Sequence, residues 1–190
     1  KISNEFCLLG SMILWLFWPS FTSAVVAPEL GYLTVLNTVL ALCGSTLATY
    51  VFSKLIRGKI EVEDIANAAL AGGVCIGSTC STANPGFAMV IGICAGTLST
   101  LGFAIIAPKV CKLIRGTDTC GVHNLHGMPG LLGGLFGIAI TGNVGVQVGA
   151  VVATVVVGLV LGRVCGAILG LFGTKEVPYS DEGDFLLEEE

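Results

Sequence analysis

Residues 65–108, IANAALAGGVCIGSTCSTANPGFAMVIGICAGTLSTLGFAIIAP, contain no Asp, Glu, Lys or Arg. A helix needs about 20 apolar residues to cross the ~30 Å hydrocarbon core of a bilayer, and this stretch is about twice that long. Its middle, Ser81-Thr-Ala-Asn-Pro-Gly86, is a turn-forming run. The stretch therefore reads as two membrane-spanning helices, over 62–81 and 86–108, with a turn between them.

The same reading extends outward. Toward the N-terminus, two further charge-poor runs predict spans over 6–28 and 30–53. Toward the C-terminus, the run 119–162 is divided at Thr141-Gly-Asn143 and predicts helices over 120–140 and 144–171. The expected fold is an all-α polytopic membrane protein with six transmembrane helices. Its membrane domain covers 1–173, and an acidic cytoplasmic tail covers 174–190. Continuous apolar runs exclude a β-barrel, whose strands alternate and need only about 10 residues. The Val, Ala and Gly bias of 144–160 is that of a packing or lipid-facing helix.

Composition agrees. Of 190 residues, 54% are hydrophobic and 12% charged, against the ~25% charge of a soluble domain. Too few charges remain to cover a water-exposed surface. The 27 glycines lie mostly within apolar runs, where small residues let helices approach closely. The net charge of −4 and the absence of a basic stripe argue against nucleic acid as a partner. Much of the acid falls at the end, in Asp181, Glu182, Asp184 and Glu188 to Glu190. Cys7, Cys43, Cys75, Cys94 and Cys165 sit in apolar stretches without CxxC pairing and read as packing residues. The chain begins at Lys1, with neither an initiator Met nor a signal-peptide pattern, and is expected to be a fragment.

Lys54, Arg57 and Lys59 follow the second expected span, and Lys109, Lys112 and Arg115 the fourth. The turns after the first, third and fifth carry no basic residue. With Lys1, Arg163 and Lys175 near the ends, all nine Lys and Arg fall on one side. The positive-inside rule makes that side, and both ends of the chain, cytoplasmic.

Both histidines occur in Asp118-Thr-Cys-Gly-Val-His123-Asn-Leu-His126-Gly-Met-Pro-Gly130. Their spacing places them on one face of a helix. An imidazole in a bilayer helix either faces a cavity or hydrogen-bonds a neighbouring helix, and the first is a functional site. Asp118 is placed to cap the helix start. Gly127, Pro129 and Gly130 weaken the helix about one turn after His126, as membrane helices do where the freed backbone is buried in protein or lines a cavity; beside an imidazole, such a break suggests a conduction path. No third or fourth ligand with recognisable spacing supports a metal site, and no cofactor is expected. In Trp15-Leu-Phe-Trp18-Pro-Ser-Phe21-Thr-Ser23, the tryptophans are either interfacial anchors or core packing. Phe21, deeper along the outward path, is of a size to close a narrow pore by bulk and dewetting.

LWLFWPSFTSA (14–24), LAGGVCIGSTC (70–80), GTLSTLGF (96–103) and DTCGVHNLHGMPGLLGG (118–134) together resemble the Rh glycoprotein branch of the ammonium transporter (Amt/MEP/Rh) superfamily. NLHGMPG is the most specific of them. The resemblance extends over nearly the whole chain and corresponds to about the second half of a full-length member. It implies an inverted repeat of helices around a pore, assembly as a homotrimer or as a heterotrimer with related subunits, and residence in the cell membrane. It also implies conduction of ammonia after ammonium has lost its proton. By resemblance, His126 matches the second of a pair of pore histidines, and Phe21 the phenylalanine of the external gate. Trp18 matches a vestibule aromatic, and Asp118 the acidic residue at the cytoplasmic start of the histidine-bearing helix. His123 has no assigned counterpart. Thr22 stands where the family usually has Asn, and the loop after Ala139 is shorter than in animal members. The first pore histidine would belong to the absent half. Two rival expectations are a structural subunit that does not conduct and a path for CO2. No converging nucleophile, base and orienting group suggests an enzyme.

Overall fold

The computed structural model describes residues 3–114, 116–118 and 120–173, and among these all regular structure is helical. The expected acidic tail, Lys1, Arg115 and Lys175 lie outside the described residues. Helix α1 spans Asn4–Ser23 and begins at Ser3, whose hydroxyl accepts from the Phe6 amide. A single 3-10 turn over Pro28–Leu30 leads into α2, Gly31–Arg57, which ends at Gly58 in the left-handed conformation. Then follow α3 (Val62–Ala68), α4 (Ala71–Ile76) and α5 (Pro85–Leu101). A π-turn over Gly102–Ile106 joins α5 to α6 (Ala107–Ile114), and a second over His123–Gly127 opens α7 (Met128–Thr141). The last helix, α8, spans Val144–Gly170. Among the described residues, four continuous helical stretches are long and apolar enough to cross a membrane: Asn4–Ser23, Pro28–Arg57, Pro85–Ile114 and Val144–Gly170.

The helix expected over 62–81 is instead two short helices, α3 and α4, followed by a turn. The break falls at Ala69-Leu70, ahead of the glycine pair inside α4, where α2 takes up carbonyls that a straight helix would use itself. Ser45 donates its hydroxyl to the Ala69 carbonyl at 2.5 Å. The Asn37 amide donates to the carbonyls of Cys80 and Ala83, both at 2.8 Å. Other boundaries also moved: α1 stops at Ser23 rather than at 28, α2 continues past 53 to Arg57, the helix expected to end at 108 runs on to Ile114, and the one expected from 120 begins near His123.

Side-chain pairings fix the directions of the helices. Ser11 bonds the Ala66 carbonyl, Trp15 bonds Thr46 and Thr22 bonds Thr38, so α1 is antiparallel to α2. Gly92 lies against Ala41 and Gly96 against Ser45, so α5 runs parallel to α2. The α3–α4 segment runs between them in the opposite sense, with Asp64 beside Ser53 and Gly72 against Ala41. Ser99 reaches the Asn124 carbonyl and Ser78 the Gly133 carbonyl, which makes α7 antiparallel to α5. Gly134 meets Val151 and Gly137 meets Gln147, which turns α8 back again. Successive segments thus alternate in direction along the whole described chain.

The centre is α2. Asn37, Ala41, Ser45, Thr49 and Ser53 follow at four-residue intervals and are all buried, forming one of the ridges along which helices interlock. Against this ridge a Cβ on Gly92 or Gly96 would enter the Ala41 or Ser45 backbone. Lipid tails give apolar surface no reason to leave them, so close backbone approach and internal hydrogen bonds hold such a core. The hydroxyls accordingly bond within the chain, Thr49 to the Ser45 carbonyl and Thr38 to that of Thr34, each at 2.7 Å. At the Ser53 end of the ridge, Asp64 is fully buried and accepts from Ser53 Oγ at 2.7 Å and from Arg57 Nε at 3.0 Å and Nη2 at 3.2 Å. Helix α8, by contrast, has no buried residue.

Candidate functional site

The histidine segment is built by its caps. Asp118 accepts from the Val122 amide at 2.9 Å and from the His123 amide at 2.8 Å, one bond to each carboxylate oxygen. Between them Gly121 turns the chain at φ +67°, packed so tightly on the Phe103 ring that a Cβ would overlap it. Only glycine combines that backbone sign with that proximity. Pro129 has no N–H for the carbonyl of Leu125, and its ring crowds that carbonyl. The chain widens to absorb the conflict: the Met128 amide bonds five residues back to His123, closing the π-turn His123–Gly127.

The weakened stretch therefore contains His126 rather than following it by a turn. The wider turn also separates the histidines around the axis. His126 lines a cleft against α1, while the His123 imidazole lies over Gly127, 3.5 Å from where a Cβ would stand. Pro108 follows the other π-turn at the same interval, and there the Ala107 amide bonds back to Gly102. The two π-turns abut. A Cβ on Gly102 would run into Met128 and lie 2.7 Å from Asn124 Oδ1, and Ser99 holds the Asn124 carbonyl at 2.8 Å.

On the α1 side of His126 is a cleft of about 580 Å³, lined by Trp18, Phe21, Thr22, Gly73, Leu125 and His126 among others. The Trp18 indole stacks on the His126 imidazole, with centroids 6.4 Å apart and planes 20° apart. Phe21 meets the same indole edge-on at 6.3 Å. These three rings, placed by resemblance in a vestibule, a gate and a pore, form one continuous aromatic run. Gly73 permits it, because a Cβ there would sit 2.6 Å from Trp18 Nε1. Trp15 turns away and donates its indole N–H to Thr46 at 3.1 Å. Thr22 is buried, bonded to Thr38 and to the Pro19 carbonyl, so it supports the cleft wall.

His126 also borders a second cleft, of about 560 Å³, between α7 and α8, with Gly127, Ser78, Gln147 and Thr154 among its lining. The imidazole thus stands where two clefts meet, and His123 lines neither. Among the described residues no group of three or more His, Cys, Asp or Glu is arranged to hold a metal ion. Sequence reasoning missed Gly73, Gln147 and Thr154. The first is hidden in a glycine pair, but the other two are the only polar side chains between Val144 and Gly162 and were visible as such.

Residues 2–182 match the Ammonium Transporter Family. The chain is 45% identical over 144 residues to ammonium transporter Rh type B of Papio hamadryas, covering 74% of this chain and 31% of that protein. It is 45% identical over 141 residues to ammonium transporter Rh type A of Canis lupus familiaris, covering 72% and 34%. Among solved structures, the Rh50 channel of Nitrosomonas europaea superposes with a TM-score of 0.90 and 48% identity over 96% of this chain and 49% of that one. A sensor Amt protein shares the fold at a TM-score of 0.77 and 22% identity, over 93% and 46%. The chain spans about a third of the length of these curated relatives and half that of the Rh50 chain. With the aromatic run, the histidine at its end and the alternating helices all in place, the chain belongs to the Ammonium Transporter Family, in its Rh branch.

Proposed function

We propose that the full-length protein moves ammonia across a cell membrane as an Rh-type channel, and that this chain supplies one side of its pore. The observation that carries the reading is the position of His126, stacked on Trp18 in a cleft that Phe21 also lines, edge-on to the indole. Desolvating a cation in a narrow apolar passage costs several kcal/mol. Neutral ammonia avoids that cost. Ammonium gives up its proton to water at the mouth beside Phe21 and Trp18, ammonia hydrogen-bonds past the imidazole, and it takes a proton from water inside, leaving hydroxide there. Asp118 fixes the inner start of the histidine segment through two backbone amides, while Gly127 and Pro129 set the π-turn that aims His126.

Six passes and cytoplasmic ends are part of the same proposal. The alternating segments support them, as does the placement of Lys54, Arg57, Lys59, Lys109 and Lys112 at one end of the parallel helices α2 and α5–α6. So is assembly as a homotrimer, or as a heterotrimer with related subunits, for which the unburied α8 leaves surface. The protein acts as a transporter and not as an enzyme. The test is stopped-flow measurement of internal pH in liposomes holding the full-length protein under an ammonium gradient. Fast alkalinisation that His126→Ala reduces at least tenfold supports the reading. Flux equal to that of empty liposomes refutes it.

A further inference from the structure

We infer that Ser99 is a positioning residue for His126: its hydroxyl takes a backbone carbonyl that the π-turn leaves without an amide, and so holds the register in which the imidazole faces Trp18. The inference rests on the transport reading only for its effect on flux.

The hydrogen bonds of the histidine segment carry it. In an α-helix the Met128 amide would serve the Asn124 carbonyl, four residues back. Here it is spent on His123, five residues back. Counting by five would give Asn124 to residue 129, but that residue is Pro129 and has no N–H. The Asn124 carbonyl is thus left without a backbone donor from α7, in a residue only 1% exposed, where an unpaired polar group is costly. Ser99 Oγ reaches it from α5 at 2.8 Å. The neighbouring hydroxyls behave otherwise: Thr97 donates to the Ile93 carbonyl and Thr100 to the Gly96 carbonyl, each at 2.8 Å and inside α5. Ser99, fully buried, crosses instead to a partner 25 residues away.

Without that donor, the Asn124 carbonyl is satisfied by reclaiming the Met128 amide, which tightens the π-turn into an α-turn. One residue of register is about 100° around a helix of 3.6 residues per turn. The start of the segment is pinned by the bonds of the Val122 and His123 amides to Asp118. The rotation therefore falls on the residues that follow, and it carries the imidazole off the indole, to which its plane now lies within 20°. Ser99 lines neither cleft, so it acts through the turn.

The experiment uses the full-length protein in liposomes. Trp18 emission, taken as the difference between each protein and the same protein carrying Trp18→Phe, reports the stack on His126, and His126→Ala supplies the signal of a lost stack. Ser99→Ala is expected to move this emission at least halfway to the His126→Ala value and to lower ammonium flux about fivefold or more. Thr100→Val, which removes an equally buried hydroxyl bonded inside α5, is expected to move neither. With Pro129→Ala, residue 129 regains an amide for the Asn124 carbonyl, so adding Ser99→Ala should move the emission by less than a third of its effect in the parent. Parental emission in Ser99→Ala overturns the inference, as does a change no larger than that of Thr100→Val, or one undiminished with Pro129→Ala. Should Ser99→Ala fail to assemble, Ser99→Cys, whose thiol is a weak donor, is judged by the same criteria. A moved emission with parental flux supports the positioning of His126 and counts against its role in the transport reading. If the parent protein itself conducts nothing, the transport reading falls and the emission still decides whether Ser99 positions His126.

Discussion

Gly73 lies against the indole of Trp18 so closely that a Cβ on Gly73 would stand 2.6 Å from Trp18 Nε1. The indole in turn stacks on His126, so the missing side chain on α4 sets where the histidine's neighbour can be. Gly73→Ala is expected to push the indole aside, and Trp18→Leu to remove it. Aromatic pairing contributes about 0.5–1.5 kcal/mol beyond area, so either variant of the full-length protein should lose roughly twofold to tenfold in ammonium flux. The double variant should lose little more than the worse single one, because both act through one contact. Stopped-flow flux in liposomes measures all three, and additive losses would break the link.

Gly92 carries the closest approach of α5 to α2, against the Ala41 backbone. Gly92→Ala should overpack that crossing and destabilise the protein by about 1–3 kcal/mol. A lowered midpoint of thermal unfolding in detergent is the readout, with Gly92→Leu worse. An unchanged midpoint would mean that the two helices can part without cost.

Asp64 and Arg57 are expected to be replaceable together but not singly. Removing one partner of a buried pair costs about 3–5 kcal/mol, whereas replacing both by apolar residues is often close to neutral. Arg57 is 30% exposed, which moderates the cost of stranding it, so Asp64→Leu should be milder than Arg57→Leu, which leaves the fully buried carboxylate unpaired. Folded yield in detergent for the two single variants and the double variant gives the comparison.

Asp118→Ala frees the amides of Val122 and His123. Loss of such a cap costs about 0.5–2 kcal/mol, enough to loosen the first turn without unfolding α7. Hydrogen exchange should quicken at Val122 and His123 and stay unchanged at Gly133 and beyond. Asp118→Asn, which keeps one acceptor oxygen, should fall between the alanine variant and the parent.

The long helices were legible because charge is absent from them and turn residues separate them, and both signals survive in a sequence without any partner. The short α3 and α4 were not, since the break at Ala69 depends on Ser45 reaching its carbonyl from 24 residues away. Arg57 looked like one more loop cation for the same reason: its partner Asp64 comes near only once α3 has folded back. At the site, Trp18, Phe21 and His126 were each identifiable, but the order in which they touch was not. That order follows from the π-turn, which Pro129 implies locally but whose placement over His126 is decided by packing. The four-residue repeat Asn37, Ala41, Ser45, Thr49, Ser53 was visible in the sequence and went unused, although a stripe of small and polar residues within an apolar run is what a tightly crossed membrane helix requires.

The paired π-turns bear on how variation away from the clefts can act on His126. Gly102 and Phe103 touch Asn124, Met128 and Gly121 but line neither cleft, so the support of the His126 segment sits on a helix outside both clefts. Variation at 102 and 103 would shift the placement of His126 from behind, with every residue lining the two clefts left as it was.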